Sequence, residues 1–312
     1  MHEFEIIESI FRPLTRGFEG ALDLTDDAAL VSVPPGHELV VTKDAISQGV
    51  HFIGDEDPAL IAQKLLRVNL SDLAAMGATP LCYLLALFLP DGDETWLRRF
   101  AEGLRIDQET FRIHLAGGDT VSTKGTPGFS LTVLGTIPAG KALRRNAAQK
   151  GDIIYVSGTL GDSALGLAAL QAGTNEPFLI DRYLLPQPRV TLGQTLLGSA
   201  HACMDISDGL TQDLGHICKA SNVGATLYRD KLPLSPAAKK HPQALDAALS
   251  GGDDYELLFT APADQTSAIG LLAAELQLPL TAIGEITEGN MVKLVDENGK
   301  PLEIKHEGFQ HF

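Results

Sequence analysis

Short aspartate clusters close one hydrophobic run after another along this chain. They are Asp26-Asp27, Asp44, Ser71-Asp72, Gly117-Gly118-Asp119-Thr120, Asp205-Ile206-Ser207-Asp208-Gly209 and Gly251-Gly252-Asp253-Asp254. Each adjoins a β-like stretch, such as residues 38–42, 111–116, 130–137 or 202–204, and that arrangement predicts a carboxylate at a strand end. Several hard oxygen donors brought together in this way suit Mg²⁺, which pairs carboxylates with substrate phosphates. Aspartate is also a preferred N-cap and turn residue, so any one cluster reads equally well as a cap. Recurrence of the same form along the chain points to a shared site.

At 312 residues, 44% hydrophobic and 21% charged, the chain has material for two globular cores. Its formal net charge of −16 disfavours a nucleic acid or an anionic membrane as partner. A polyanionic substrate would then need divalent cations, which the aspartates are suited to hold. Cys82, Cys203 and Cys218 are too few and too scattered for a disulfide framework or a cysteine zinc site. Their usage points to a reducing compartment, the cytoplasm. Residues 1–11 read as a small amphipathic helix, and no run reaches the roughly 18 apolar residues of a membrane span. The longest apolar run, 81–89, reads as a buried strand.

Strand and helix patterns alternate throughout. The first half predicts strands over 38–42, 81–89, 111–116 and 130–137, with helices over 58–76 and 94–109. The basic, glycine-containing segment 139–151 marks a boundary between domains at 1–140 and 141–312. Beyond it the pattern predicts strands over 153–156, 202–204, 225–227, 256–260, 280–283 and 292–295. Helices are predicted over 163–172, 189–197 and 208–220, and 174–185 reads as a lid segment. The fold class is therefore mixed α/β in two domains. A weak acidic-pair pattern, Asp26-Asp27-Ala28-Ala29-Leu30 and Asp253-Asp254-Tyr255-Glu256-Leu257, occurs once in each half.

Two clusters allow a closer test. Asp57 is a suitable N-cap ahead of Pro58, and Ile61, Leu65 and Val68 then mark one helix face that continues to Asp72 and Ala75. A carboxylate on that stripe must be paired, hydrogen-bonded or metal-bound, unless the stripe rotates outward near the helix end. Asp205 and Asp208, three positions apart at a strand-to-helix turn, face one metal, with Ser207 between them offered to a phosphate. The competing reading is a simple cap on the following helix.

Other motifs give less. Gly135-Thr136-Ile137-Pro138-Ala139-Gly140-Lys141-Ala142 nearly matches a P-loop, but Ala142 stands where the Mg²⁺-binding hydroxyl is required and Pro138 removes an N–H. Arg144-Arg145 either reaches a nucleotide phosphate or lies exposed at the domain linker. There is no G-x-S-x-G elbow, and His51, beside Phe52 and near Asp44, is either packed or a substrate contact.

Taken in order, these motifs resemble the thiamine-monophosphate kinase family, within the superfamily that includes aminoimidazole ribonucleotide synthetase, selenophosphate synthetase and a hydrogenase maturation protein. The resemblance rests on Asp26-Asp27-Ala28-Ala29-Leu30, Thr42-Lys43-Asp44 with Gly49-Val50-His51-Phe52, Asn69-Leu70-Ser71-Asp72-Leu73-Ala74-Ala75-Met76-Gly77-Ala78, Gly117-Gly118-Asp119-Thr120, Asp205-Ile206-Ser207-Asp208-Gly209-Leu210 and Gly251-Gly252-Asp253-Asp254-Tyr255-Glu256-Leu257-Leu258.

The resemblance implies an aminoimidazole ribonucleotide synthetase-like fold, with N-terminal strands of two subunits forming a barrel-like homodimer interface. It implies transfer of the ATP γ-phosphoryl group to thiamine monophosphate, using several Mg²⁺ ions held by Asp27, Thr42, Asp44, Asp72, Asp119, Asp205 and Asp208. Gly118, Asp119, Arg145 and Ser207 are implied ATP ligands, and His51, Glu256 and Phe309 are implied contacts to the thiamine end. No protein nucleophile or base is expected, because the acceptor phosphate is already anionic and the task is to bring two polyanions into line. Thr25 and Lys43 depart from the family pattern, which has glycine and a hydroxyl residue there. The alternatives are a sister enzyme of the superfamily or a nucleotide-binding protein without turnover.

Overall fold

The computed structural model describes residues 2–304. The chain divides into two compact units, one built from Met1–Leu73 with Ala78–Gly140 and the other from Ala74–Gly77 with Lys141–Phe312. Among the described residues no helix is long and apolar enough to cross a membrane.

The first unit opens with a short helix α1 (Glu3–Ile6) and continues through β1 (His37–Ser47), α2 (Pro58–Met76), β2 (Thr79–Leu89), α3 (Glu94–Phe111), β3 (His114–Ser122) and β4 (Gly128–Pro138). Its four strands form one sheet in the order β1-β4-β2-β3, antiparallel except for the parallel pair β2 and β3. Side chains alternate along each strand, so the two faces have different fates. Phe129, Leu131 and Val133 of β4 are buried on one face, where Phe129 meets Phe100 and Trp96 of α3 at 5.1 and 5.6 Å between ring centroids. The opposite face leaves Leu39, Val41, Leu84, Phe88 and Val121 at least 39% exposed.

Helix α2 is buried almost all round, including Gln63, Arg67 and Asn69. Polar side chains are tolerated there because each finds a partner. The Arg67 guanidinium donates to both oxygens of the fully buried Asp107 on α3, at 2.7 and 2.9 Å, and Gln63 donates to the same carboxylate at 2.9 Å. Gly103 lets the two helices approach, since a Cβ there would lie 2.2 Å from the Ala59 carbonyl oxygen.

The second unit contains β5 (Ile153–Ser157), α4 (Asp162–Ala172), α5 (Pro177–Leu184), α6 (Val190–Thr195), β6 (Ala202–Asp205), α7 (Leu210–Ser221), β7 (Gly224–Tyr228), α8 (Ala244–Ser250), β8 (Leu257–Ala261), α9 (Thr266–Glu275), β9 (Leu280–Thr287), β10 (Val292–Val295) and β11 (Pro301–Leu302). Among the described residues seven strands form a mixed sheet in the order β11-β10-β7-β9-β5-β8-β6, with only β7 and β10 parallel. Each face carries a core, which is why the central strands β5 and β8 are buried almost throughout. Ile154, Val156, Met204 and Leu258 join α7 on one side; Tyr155, Cys203 and Phe259 join α6 and α9 on the other.

Several boundaries differ from the pattern reading. Helix α3 runs to Phe111 and ends where Arg112 takes a left-handed backbone, so β3 starts at His114, later than the predicted 111–116. β3 then continues through Gly117-Gly118-Asp119-Thr120, and Asp44 lies inside β1, so neither carboxylate stands on a strand-end loop. The ladder persists because backbone pairing with β4 and β2 does not depend on side-chain polarity. The predicted lid at 174–185 contains α5, whose Leu179 and Tyr183 are buried. Helices α8 and α9 escaped the pattern, α8 for its shortness and α9 because Thr266–Glu275 is apolar on most sides.

Replacing Asp107 with Ala strands the Arg67 charge in the interior. Urea denaturation should show a loss of about 3–5 kcal/mol; a loss below about 1 kcal/mol would mean that Arg67 finds another partner.

Candidate active site

In the first unit, strand alternation puts Thr42 and Asp44 on the α2 side of β1 and Lys43 on the other. The Thr42 hydroxyl donates to the Asp72 carboxylate, so the carboxylate on the apolar stripe is paired. Asn69, fully buried, donates from Nδ2 to the Leu65 carbonyl at 2.9 Å and accepts the Asp44 backbone N–H on Oδ1 at 2.9 Å. That lock fixes where Asp44 stands against α2. Lys43 Nζ donates to Ser130 Oγ at 3.1 Å, which in turn donates to the Asp44 carbonyl.

On the open side a cavity of about 710 Å³ is lined by Asp26, Asp27, Lys43, Gly118, Asp119 and Thr120, together with apolar side chains. Gly118 has no alternative there, because a Cβ would sit 2.1 Å from the Leu85 carbonyl oxygen. The structure thus brings Thr42, Asp44 and Asp72 together on one side of the sheet and Asp27 with Asp119 around the cavity. His51 accepts the Ser47 N–H on Nδ1 at 3.2 Å, and its carbonyl receives Lys64 Nζ at 3.1 Å, which ties the 47–52 turn to α2.

In the second unit, Asp205 ends β6 and is buried, whereas Asp208 is half-buried in the turn before α7. One oxygen of Asp213 accepts the backbone N–H groups of Ser207, Asp208 and Gly209 at 3.1, 3.1 and 3.2 Å. Gln212 Nε2 donates to Asp208 Oδ2 at 3.0 Å. The loop before β8 closes over this turn: Asp253 N–H donates to the Ser207 carbonyl, Tyr255 N–H to that of Ile206, and Ile206 N–H to that of Glu256, at 2.8–2.9 Å. Asp253 and Tyr255 hold left-handed backbones, φ 67° and 50°, to make this possible. Burial pushes the Asp213 carboxyl up to about 7, opposed by its N–H donors and reinforced by Asp205 and Asp208.

Arg145 carries an exposed guanidinium on a backbone pinned by Ser221 Oγ, which donates to its carbonyl at 2.8 Å. Glu256, expected at the thiamine end, lies in the interior of the second unit. It is fully buried, and Arg182, Arg189 and Ser157 occupy both carboxylate oxygens at 2.5–2.7 Å. Gly158, φ +60°, is required beside it, since a Cβ would lie 2.2 Å from Glu256 Oε1. Phe309 lies outside the described residues.

Asn69, Asp213 and the two arginines were not singled out from the sequence. A signal for the first two existed: Asn69 stands three residues before Asp72, and Asp213 five after Asp208 on the same turn and helix.

Among the described residues no three His, Cys, Asp or Glu side chains converge closely enough to hold a metal ion unaided. The donors present, carboxylates with a threonine hydroxyl, fit Mg²⁺, which is ordinarily bound through one or two carboxylates and completed by water and substrate phosphates. They do not suit a closed thiolate or imidazole site.

Fold and donor set together define an AIR synthase related protein. Residues 25–137 match the AIR synthase related protein, N-terminal domain, and residues 149–297 match the corresponding C-terminal domain. Within that class the chain belongs to the thiamine-monophosphate kinase family. It is 44% identical over 324 residues to the thiamine-monophosphate kinase of Salmonella typhimurium, covering 99% of this chain and 98% of that protein. The crystal structure of thiamine-monophosphate kinase from Stenotrophomonas maltophilia K279a aligns with a TM-score of 0.88 at 45% identity, covering 97% of this chain and 98% of that one. A structure of AaThiL complexed with AMPPCP and TMP aligns at 0.80 with 33% identity, covering 99% and 97%.

Asp254 yields a pH prediction. Burial pushes its carboxyl from 3.8 to about 8, against the Gly161 N–H and the Arg182 charge. A raised carboxyl favours the protonated folded state, so stability is greatest at low pH and is lost as pH rises toward the folded value. Between pH 5 and 8 this one group contributes a slope of up to about 1.4 kcal/mol per pH unit. Asp254→Asn should flatten the fall in thermal midpoint across that window; an unchanged slope would remove Asp254 as its source.

Proposed function

We propose that this protein transfers the γ-phosphoryl group of ATP to thiamine monophosphate, giving thiamine diphosphate and ADP, the last step in making that diphosphate. The observation that carries this reading is similarity over nearly the full length to thiamine-monophosphate kinases, 44% identical in one case, together with the likeness to AaThiL complexed with AMPPCP and TMP.

Asp27, Thr42, Asp44, Asp72 and Asp119 in the first unit, with Asp205 and Asp208 in the second, would hold Mg²⁺. Once bound, Mg²⁺ supplies the charge neutralisation that lets two polyanions approach a chain of net charge −16. Residues 1–140 form the metal- and nucleotide-binding domain, with Gly118 and Asp119 facing ATP, while Arg145 and Ser207 serve the nucleotide from 141–312. His51, Glu256 and Phe309 serve the thiamine end, Glu256 together with the Arg182 and Arg189 that it holds. The acceptor phosphate needs no base, so no side chain has to remove a proton or attack phosphorus. The work of the residues is to position and to exclude water.

The exposed apolar face of the first sheet, carrying Leu39, Val41, Leu84, Phe88 and Val121, supports a homodimer formed through that sheet. The reducing cytoplasm suits three unpaired buried cysteines.

Incubation with Mg-ATP and thiamine monophosphate, followed by thiochrome chromatography, should show thiamine diphosphate formed from the monophosphate and none from free thiamine. No product would overturn the kinase reading. Asp208→Asn should lower turnover by at least about 100-fold with the thermal midpoint nearly unchanged. Val41→Asp should convert a dimer to a folded monomer by light scattering; a dimer that survives would place the interface elsewhere.

A further inference from the structure

A strand followed by a tight turn and a helix is a ready-made phosphate site, because the first N–H groups of the helix point outward with the positive end of its dipole. The turn from β6 into α7 has this form, and α7 is twelve residues long. The three amides of the turn itself, at 207–209, are nevertheless already spent. Asp213, only 1% exposed and in the first turn of α7, turns one carboxylate oxygen back onto the N–H groups of Ser207, Asp208 and Gly209. The remaining backbone is used as well: the Ile206 and Ser207 carbonyls receive Tyr255 and Asp253, and Ile206 N–H is given to Glu256. Gly209, at φ +120°, supplies the backbone conformation that lets the three amides converge, and a Cβ there would lie 2.9 Å from the backbone of Ser250.

What this turn still offers a ligand is side chains. Asp208, steadied by Gln212 Nε2 at 3.0 Å, and Ser207 carry their side chains on a backbone whose 206–209 amides are all bonded within the protein. We propose that Asp213 is a positioning residue that converts an anion-binding turn into a cation-presenting one. By quenching the amides internally, it commits the turn to nucleotide bridged by Mg²⁺ and denies direct contact between phosphate and backbone. The inference rests on the kinase reading for the identity of the nucleotide, while the amide geometry stands on its own.

The test compares ATP affinity with Mg²⁺ and with excess EDTA, by isothermal titration, in the wild type and in Asp213→Ala, which removes the accepting oxygen. Loss of the accepting oxygen frees the 207–209 amides for phosphate and loosens Asp208. The ratio of metal-free to metal-bound dissociation constants should therefore fall about tenfold or more. A role confined to folding would weaken both constants alike and leave the ratio unchanged, which would overturn the proposal. Should the variant not fold, hydrogen exchange on the wild type decides the matter. Amides 207–209 should be protected in the free protein and gain nothing from Mg-ATP; amides that exchange freely until ATP is added would overturn it. Failure of the wild type to bind ATP under either condition would count against the kinase reading instead, leaving the amide protection still to be read.

Discussion

Carboxylates fixed in place before any cation arrives are costly, because each must be held against its own hydration and against its like-charged neighbours. Much of the local architecture answers that cost with hydrogen-bond donors. Thr42 holds Asp72, Asn69 holds the backbone of Asp44, and Gln212 holds Asp208. Asp213 and Asp254, which sit deeper, take backbone N–H groups instead. Each unit therefore carries a set of oriented oxygens on rigid strands and helix ends. On the kinase reading, such preorganisation would let a metal and a phosphate bind with little rearrangement.

The same need explains the strained and the small residues. Asp253 and Tyr255 adopt left-handed backbones so that their N–H groups can close the 205–209 turn. Gly118 and Gly158 occur where a side chain would strike the Leu85 carbonyl or the Glu256 carboxylate. The left-handed pair at the 253–255 loop stands apart from those at helix ends, such as Arg112 and Asn222, which serve only to stop a helix.

Much of the fold was legible in the sequence, because apolar periodicity reports burial directly. Helix α2 begins and ends where Pro58 and the 61/65/68 stripe predicted, and β10 matches its predicted range. What the pattern could not show was that backbone pairing carries β1 and β3 through polar residues, so the expectation for Asp44 and Asp119 is a strand end. Helix α9, apolar on most sides, carries no amphipathic signal to detect. The aspartates themselves were plain to see; their partners were not. Whether Glu256 faces a substrate or two arginines depends on Arg182 and Arg189, 74 and 67 residues away, and no local pattern contains that information.

If the aspartates act only by presenting cations, phosphorus passes from donor to acceptor in a single in-line displacement, with no covalent bond to the protein. The stereochemical course of the reaction tests this directly. ATP made chiral at the γ-phosphorus with oxygen isotopes should give thiamine diphosphate with inverted configuration at the transferred phosphorus. Retention would require two displacements, hence a phosphorylated side chain, and would contradict the account.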